Sequence, residues 1–341
     1  MAETRFEVRS DPEVFDDLAQ WWDGCPGPRS TPFLRSDWFA LWAGAFLEHG
    51  QRLEVVVWRQ GDEIVAALPL MKRRLRRASL SNSHSDVFDL IAPDTRSASG
   101  PVGDFLARRP ATRLYRLDGS SPLVPDARDD GWVVTGTSQS PYVSLAGGLD
   151  GLREAMGNNL NKNIDRLERK IAGLGEVVYL DNADGEVPGA VEQCLEMEAA
   201  GWKGEMGTAM TSRPESTRFY RGLVELARER GWLRVCALLV AERLVAFQLC
   251  LDYGGRRFLL KPSYDEDLRR YSPGKVLQWM VLRSAVERGL DAYEFGGDAE
   301  DWKMHWTETT HPRVTGIRFG SRGAAAAVGQ GLRTAHRSRS R

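Results

Sequence analysis

Apolar and polar positions alternate with different periods along the chain, and the changes of period mark its elements. Over residues 149–174 the apolar side chains Leu152, Met156, Leu160, Ile164, Leu167, Ile171 and Leu174 recur at helical spacing, opposite Arg153, Lys162, Arg166, Arg169 and Lys170. That stripe predicts the clearest helix in the sequence, with Asp165 and Arg169 as a favourable i,i+4 pair and Gly173 and Gly175 ending it. A strand over 176–181 and helices over 187–200 and 214–230 follow. From Leu233 the period shortens. The stretch LRVCALLVAERLVAFQLCLDYGGRRFLLKPS reads as three strands with turns at 241–243 and 254–257. A Ser-Pro-Gly loop then opens an amphipathic helix near Gly274, before a strand over 292–295 and the close GGDAEDWKMHW.

The first half has the same alphabet. Asp11 as N-cap and Pro12 at the first helical position start a helix carrying Val14, Leu18, Trp21 and Trp22, and CPGPRSTPF must break it. Helical spacing resumes over 36–47, with Trp38, Leu41, Trp42 and Ala45 read as core aromatics and aliphatics. Residues 53–58 and 63–71 form a hairpin around Gln60-Gly61-Asp62. VFDLIAP, 113–117 and 131–135 read as strands, 96–110 as a helix or loop, and SSPLVPDARDDG and TSQSPY as connectors. LEVVVWRQGDEIVAALPL (53–70) echoes LRVCALLVAERLVAFQLC (233–250) once a single-residue gap is placed at the turn, which suggests duplicated α/β domains.

At 341 residues there is room for two domains. A net charge of -1 gives no global field for nucleic acid, but 72–77 (KRRLRR) and the acid-free, arginine-rich stretch beyond Gly320 are basic. Both read first as solvated surface and, for the tail (319–341), disorder. Cys25, Cys194, Cys236 and Cys250 lack metal-ligand spacing; the last three sit in apolar, periodic segments as buried thiols. No apolar leader and no run near membrane-span length are present, so a cytoplasmic, reduced protein is expected.

The chemistry concentrates at the strand–loop–helix junction Ser272-Pro273-Gly274-Lys275, because a helix N-terminus reached through a glycine loop presents N–H groups to a phosphate. Tyr264 and Asp265 end the preceding strand, where α/β sheets place ligands. Tyr264 could protonate a leaving group or a ribose oxygen, or equally cap the core with its hydroxyl in water. Glu294, Asp298 and Asp301 surround a Gly-Gly pair, with Trp302, Lys303 and His305 beyond. Trp202-Lys203 lies in a glycine-flanked loop suited to acceptor or donor contact, against an alternative of a packed Trp beside a solvated Lys. His84 with Asp86 could be a pair in a cleft between domains, although a histidine in a small-residue loop is more often structural.

The series EAAGWKGEMGTAMT, YDEDLRRYSPGKVLQ and YEFGGDAEDWKMHW resembles acetyltransferases of the CelD/BcsL group, a branch of the Gcn5-related N-acetyltransferase (GNAT) superfamily similar in architecture to the Fem aminoacyl-ligases. It covers 149–306 well and 33–93 more loosely. The resemblance implies an α/β fold of two GNAT-like domains in tandem, mixed central sheets flanked by helices, over 1–145 and 146–318. It implies acyl transfer from a coenzyme A thioester, acetyl-CoA first, to an amine of a small molecule, sugar or peptide, with no permanently bound cofactor. The Fem-like alternative draws an amino acid from aminoacyl-tRNA, with 72–77 and the tail offering phosphate contacts. A non-catalytic GNAT-like binding protein is the third reading. In the first, the donor enters where the strands 257–261 and 292–295 splay, and Arg269, Arg270, Tyr271, Ser272, Pro273, Gly274 and Lys275 serve its phosphates. Asp298 is then the first candidate base and Glu294 the second; Trp202, Lys203, Asp301, Trp302 and Lys303 lie toward the acceptor. The usual phosphate loop is Gln/Arg-x-x-Gly-x-Gly/Ala. Here Tyr271 and Val276 occupy its first and last positions, so one anchor, Gly274, is kept.

Overall fold

A computed structural model describes residues 4–124, 131–186, 189–201, 206–207 and 209–320. The chain forms two compact units, Met1–Gln139 with His311–Arg341, and Ser140–Thr310. The strands in chain order are β1 (Thr4–Arg9), β2 (Arg52–Gln60), β3 (Glu63–Arg73), β4 (Arg76–Ser79), β5 (Ala111–Asp118), β6 (Trp132–Ser144), β7 (Val177–Leu180), β8 (Leu233–Val240), β9 (Arg243–Tyr253), β10 (Arg256–Tyr264), β11 (Ala292–Glu294) and β12 (Thr310–Phe319).

In the first unit the strand order is β1-β2-β3-β4-β5-β12-β6, antiparallel except for the pair β4–β5. The expected β2–β3 hairpin is present, and β5 and the 36–47 helix fall close to their predicted places. Four expectations are corrected. The helix expected after Pro12 is two short pieces, Val14–Asp17 and Ala19–Trp22. The basic run 72–77 is no uniform solvated face: it ends β3 and starts β4, and Arg77 is buried against Glu54 at 2.8 Å. VFDLIAP makes only the bridges Phe88↔Leu117 and Ala67↔Ile91. TSQSPY is strand, because β6 runs through it to Ser144. His84 stacks on Phe46 with ring centroids 5.1 Å apart, and Asp86 is taken up by Arg116 and Arg313, each at 3.0 Å. That pair is therefore structural.

The second unit orders its strands β6-β11-β10-β9-β8-β7, with β10–β11 the parallel pair. Tight turns join β8 to β9 and β9 to β10. Ala241 and Glu242 hold φ of 48° and 63°, and Gly254 and Gly255 hold 55° and 75°. These values are the left-handed pair that a two-residue hairpin turn needs. The helices Gly148–Ala172 and Pro273–Glu287 bury Ile164, Leu167, Ile171, Val276, Leu277, Trp279 and Leu282 with Cys236, Cys250 and Leu259 of the sheet. Strand alternation turns Val235 and Leu249 to the opposite face, where Val191, Cys194, Tyr220 and Val224 of Ala190–Ala200 and Pro214–Glu229 meet them. The predicted long helix is present but broken at Gly157, whose φ and ψ are 69° and 165°. Asn161 Nδ2 donates to the carbonyls of Arg153 and Gly157 at 2.7 and 2.9 Å, occupying acceptors the break leaves open. All four cysteines are free and buried.

The internal echo is deeper than the hairpins, and it needs no gap. In β2–β3 the pairing passes from Trp58↔Ala66 to Arg59↔Ile64, leaving Val65 bulged. In β8–β9 it passes from Leu238↔Ala246 to Leu239↔Leu244, leaving Val245 bulged. The bulge falls on the valine of the shared Val-Ala pair in both. The same register carries Arg76-Arg77 onto Arg256-Arg257, each opening the strand that pairs in parallel with the next. In each pair the second arginine is buried against acids: Arg77 on Glu54, and Arg257 on Asp181 and Asp252 at 2.7 Å. Asp181 loses solvation, which would raise its pKa, but the Arg257 guanidinium with Ser284 and Tyr179 holds it well below the usual carboxylate range.

Candidate functional site

Three residue pairs hold β10 to β11: Arg256↔Ala292, Arg257↔Tyr293 and Phe258↔Glu294. There the pairing stops. β10 continues to Tyr264 against β9 alone, with a bulge between Leu259 and Lys261 that bends the strand. Past β11 the chain turns through Gly296 and Gly297, whose φ of 62° and 64° suits glycine. Among the described strands none pairs with the β11-side edge of β10 beyond Phe258, so the two strands splay apart there.

The next helix begins at the end of that opening. Ser272 holds φ 52°, Pro273 occupies the first helical position, and Ser272 O accepts from the N–H groups of Lys275 and Val276 at 3.0 and 3.2 Å. Pro273 has no N–H, so Gly274 supplies the uncommitted donor of this turn among the described residues. A Cβ on Gly274 would lie 3.3 Å from Tyr264 Cδ1, so the strand end and the helix start meet at these two residues. Tyr271 lies beneath two cations, Lys170 Nζ at 5.1 Å and Arg270 Cζ at 4.8 Å from its ring centre. Arg269 and Arg270 are exposed and Lys275 is half-buried. Asp265 pairs with Arg243 and accepts from the Asp267 N–H.

At the end of β11 the side chains divide into buried and open. Glu294 is buried and ion-paired to Arg256 at 2.9 Å. Lys303 is buried as well. Its ammonium donates to the carbonyls of Gly296 and Asp298 at 2.8 and 3.0 Å and lies 3.4 Å from Glu300. This cation braces the Gly-Gly turn from inside, a position sequence alone did not suggest. The Asp298, Asp301 and Trp302 side chains are exposed, with Trp302 edge-on to Phe295 at 5.6 Å and donating to Glu300 at 2.6 Å. Trp202 and Lys203 lie outside the described residues.

One buried group was overlooked. Tyr293 donates its hydroxyl to Gln248 Oε1 at 2.8 Å, and Gln248 Nε2 donates to Gln278 Oε1 at 2.9 Å. Gln248 stands opposite Pro262 on the splayed part of β10, so the network ties β9, β11 and the helix together beside the opening. The available signal was a glutamine inside each of two apolar runs, VAFQLCL and KVLQWMV. Among the described residues no group of three or more His, Cys, Asp or Glu is placed to hold a metal, and no helix is long and apolar enough to cross a membrane.

Residues 158–304 match the family model described as Acetyltransferase (GNAT) domain. No curated protein matches the chain. Among solved structures, a C-terminal DUF2156 domain assigned to a lysylphosphatidylglycerol synthetase from Agrobacterium fabrum aligns at TM-score 0.59 and 12% identity, over 93% of this chain and 95% of that one. FemX aligns at TM-score 0.59 and 10% identity over 94% and 99%. A tandem GNAT protein from the clavulanic acid biosynthesis pathway aligns at TM-score 0.50 and 13% identity over 94% and 99%. At such identities the likeness is one of fold. The chain is a mixed α/β protein whose fold is like that of tandem GNAT proteins, and 158–304 is the part that matches the GNAT acetyltransferase model.

Proposed function

We propose that the second unit is an N-acyltransferase of CelD/BcsL type that moves an acyl group, acetyl first, from a coenzyme A thioester to an amine of a small molecule, sugar or peptide. The observation that carries this reading is the early end of β10–β11 pairing beside a helix N-terminus. An amide-bearing pantetheine arm can enter the splay between β10 and β11 alongside the strand direction. Its pyrophosphate then meets the Gly274 N–H and the positive end of the helix, with Tyr271, Ser272, Pro273, Lys275 and Arg270 around it. The amine nitrogen attacks the thioester carbonyl, the C–N bond forms and the C–S bond breaks. One proton leaves the amine and one reaches the thiolate. Tyr264, against Gly274, is assigned the second transfer. Asp298 is assigned the first, through water; Glu294, already held by Arg256, ranks behind it. Asp301 and Trp302 face the acceptor, and Lys303 holds the turn that presents Asp298. Coenzyme A is a co-substrate here, and its use implies a cytoplasmic site.

A second reading keeps the fold and changes the donor to aminoacyl-tRNA. It is favoured by the single uncommitted N–H at Gly274, which gives a pyrophosphate fewer donors than the usual loop. Thermal shift separates the readings. Stabilisation by acetyl-CoA or a longer acyl-CoA is expected. A response to charged tRNA alone overturns the proposal in favour of the second reading, and silence with both ligands points to a non-catalytic binding protein.

A further inference from the structure

We infer that the β3–β4 end of the first unit docks on an anionic lipid surface. The repeat register makes the case. The turn between β9 and β10 is Gly254-Gly255, and its counterpart between β3 and β4 is Arg74-Leu75. Arg74 holds φ 55°, where a hairpin turn prefers glycine and an L side chain is strained. Leu75 at the tip is 70% exposed, the second most exposed large apolar residue among those described. A strained arginine beside a leucine in water has no folding benefit at this turn, since glycines serve the equivalent one.

The surroundings are cationic. Arg73, Arg74 and Arg76 are exposed, Lys72 is half-buried, and Arg52 lies across the ladder from Lys72. The facing acid is Glu48, 4.0 Å from Arg73; Glu54 is buried and spent on Arg77. Arg108 and Arg109 precede the start of β5, which pairs in parallel with the start of β4. Gly320 donates to Pro110 O beside them, so the chain leaves the described structure at this same end. Clustered lysines and arginines attract acidic headgroups, and an apolar tip gains by entering the acyl boundary. Nucleic acid would use the charges but would leave Leu75 in water, so the leucine decides between the two partners.

The test uses the full chain with sedimented vesicles of phosphatidylcholine alone and of phosphatidylcholine with phosphatidylglycerol. Recovery with the acidic vesicles only, falling as salt is raised, is expected. The double variant Arg74→Gly, Leu75→Gly restores the turn of the second unit and so keeps the fold, which an unchanged Tm verifies. It is expected to lower partitioning about fiftyfold, roughly fivefold from the charge and tenfold from the leucine. Equal recovery of wild type and variant overturns the proposal. Binding of tRNA without vesicle recovery overturns it too, in favour of a nucleic-acid face.

Discussion

Gly274 offers the sharpest test of the donor site. Its φ is helical, so Gly274→Ala meets no backbone strain and gains up to about 1 kcal/mol of helix propensity. Its Cβ would stand 3.3 Å from Tyr264 Cδ1, which the ring can accommodate by moving a few tenths of an ångström. Ala should therefore leave Tm within a degree or two and weaken acetyl-CoA binding by no more than about fivefold. Gly274→Asp adds a negative charge where a pyrophosphate is proposed to sit. Two unit charges about 5 Å apart at an effective dielectric of about 20 repel by roughly 3 kcal/mol, or more than a hundredfold in Kd. Isothermal titration of both variants with acetyl-CoA, beside their thermal unfolding, separates charge from packing. Unchanged affinity in Gly274→Asp would refute the phosphate placement. Equal losses in both variants would show that shape, not charge, is read there.

Further outcomes follow from groups already described. Lys303→Met removes the donor shared by the Gly296 and Asp298 carbonyls, so about 2–4 kcal/mol of stability should be lost in urea titration. Its residual activity should fall in kcat more than in KM for the donor; the reverse pattern would detach the turn from chemistry. Arg77→Met strands Glu54 and should cost about 3–5 kcal/mol, measured by denaturant midpoint, whereas Arg257→Met leaves Asp252 with Arg234 at 3.0 Å and Asp181 with Arg288 at 3.6 Å and should cost less. Asp89 is partly buried with protein packed closely around it, and burial pushes its carboxyl from 3.8 up to about 7 despite hydrogen bonds from Ser121 and the Leu90 N–H. The folded chain then holds a proton that the unfolded chain releases, so stability falls as pH rises from about 4 to 7, by up to about 4 kcal/mol. In Asp89→Asn the carbonyl can keep both hydrogen bonds and that slope should flatten. An unaltered slope would remove Asp89 from the account.

The second unit was legible because its elements are signalled locally. The stripe from Leu152 to Ile171, the turns at 241–242 and 254–255 and the proline-led helix start each carry their own chemistry. Elements defined by distant partners were not. β1 is a mostly exposed edge strand without an apolar run, β4 is four residues inside a basic cluster, and β12 depends on β5. The candidate site followed the same division. Tyr264, Ser272 and Gly274 could be found from strand–loop–helix order. The interior role of Lys303 could not, because spacing does not say whether a lysine points to solvent or to two carbonyls. The echo of 53–70 in 233–250 was visible, but that it runs without a gap and places a bulge at Val65 and Val245 needed the pairing register.

The place of β12 bears on how the chain is made. The strand that lies between β5 and β6 in the first unit follows the whole of the second in sequence. On the ribosome the second unit can close as one continuous segment, while the first waits for its inner strand. Until Phe319 emerges, the flanks of β5 and β6 are unpaired edges exposed to other nascent chains. The order of synthesis thus inverts the order of completion, and a stop codon just before Thr310 would damage the half that was translated first.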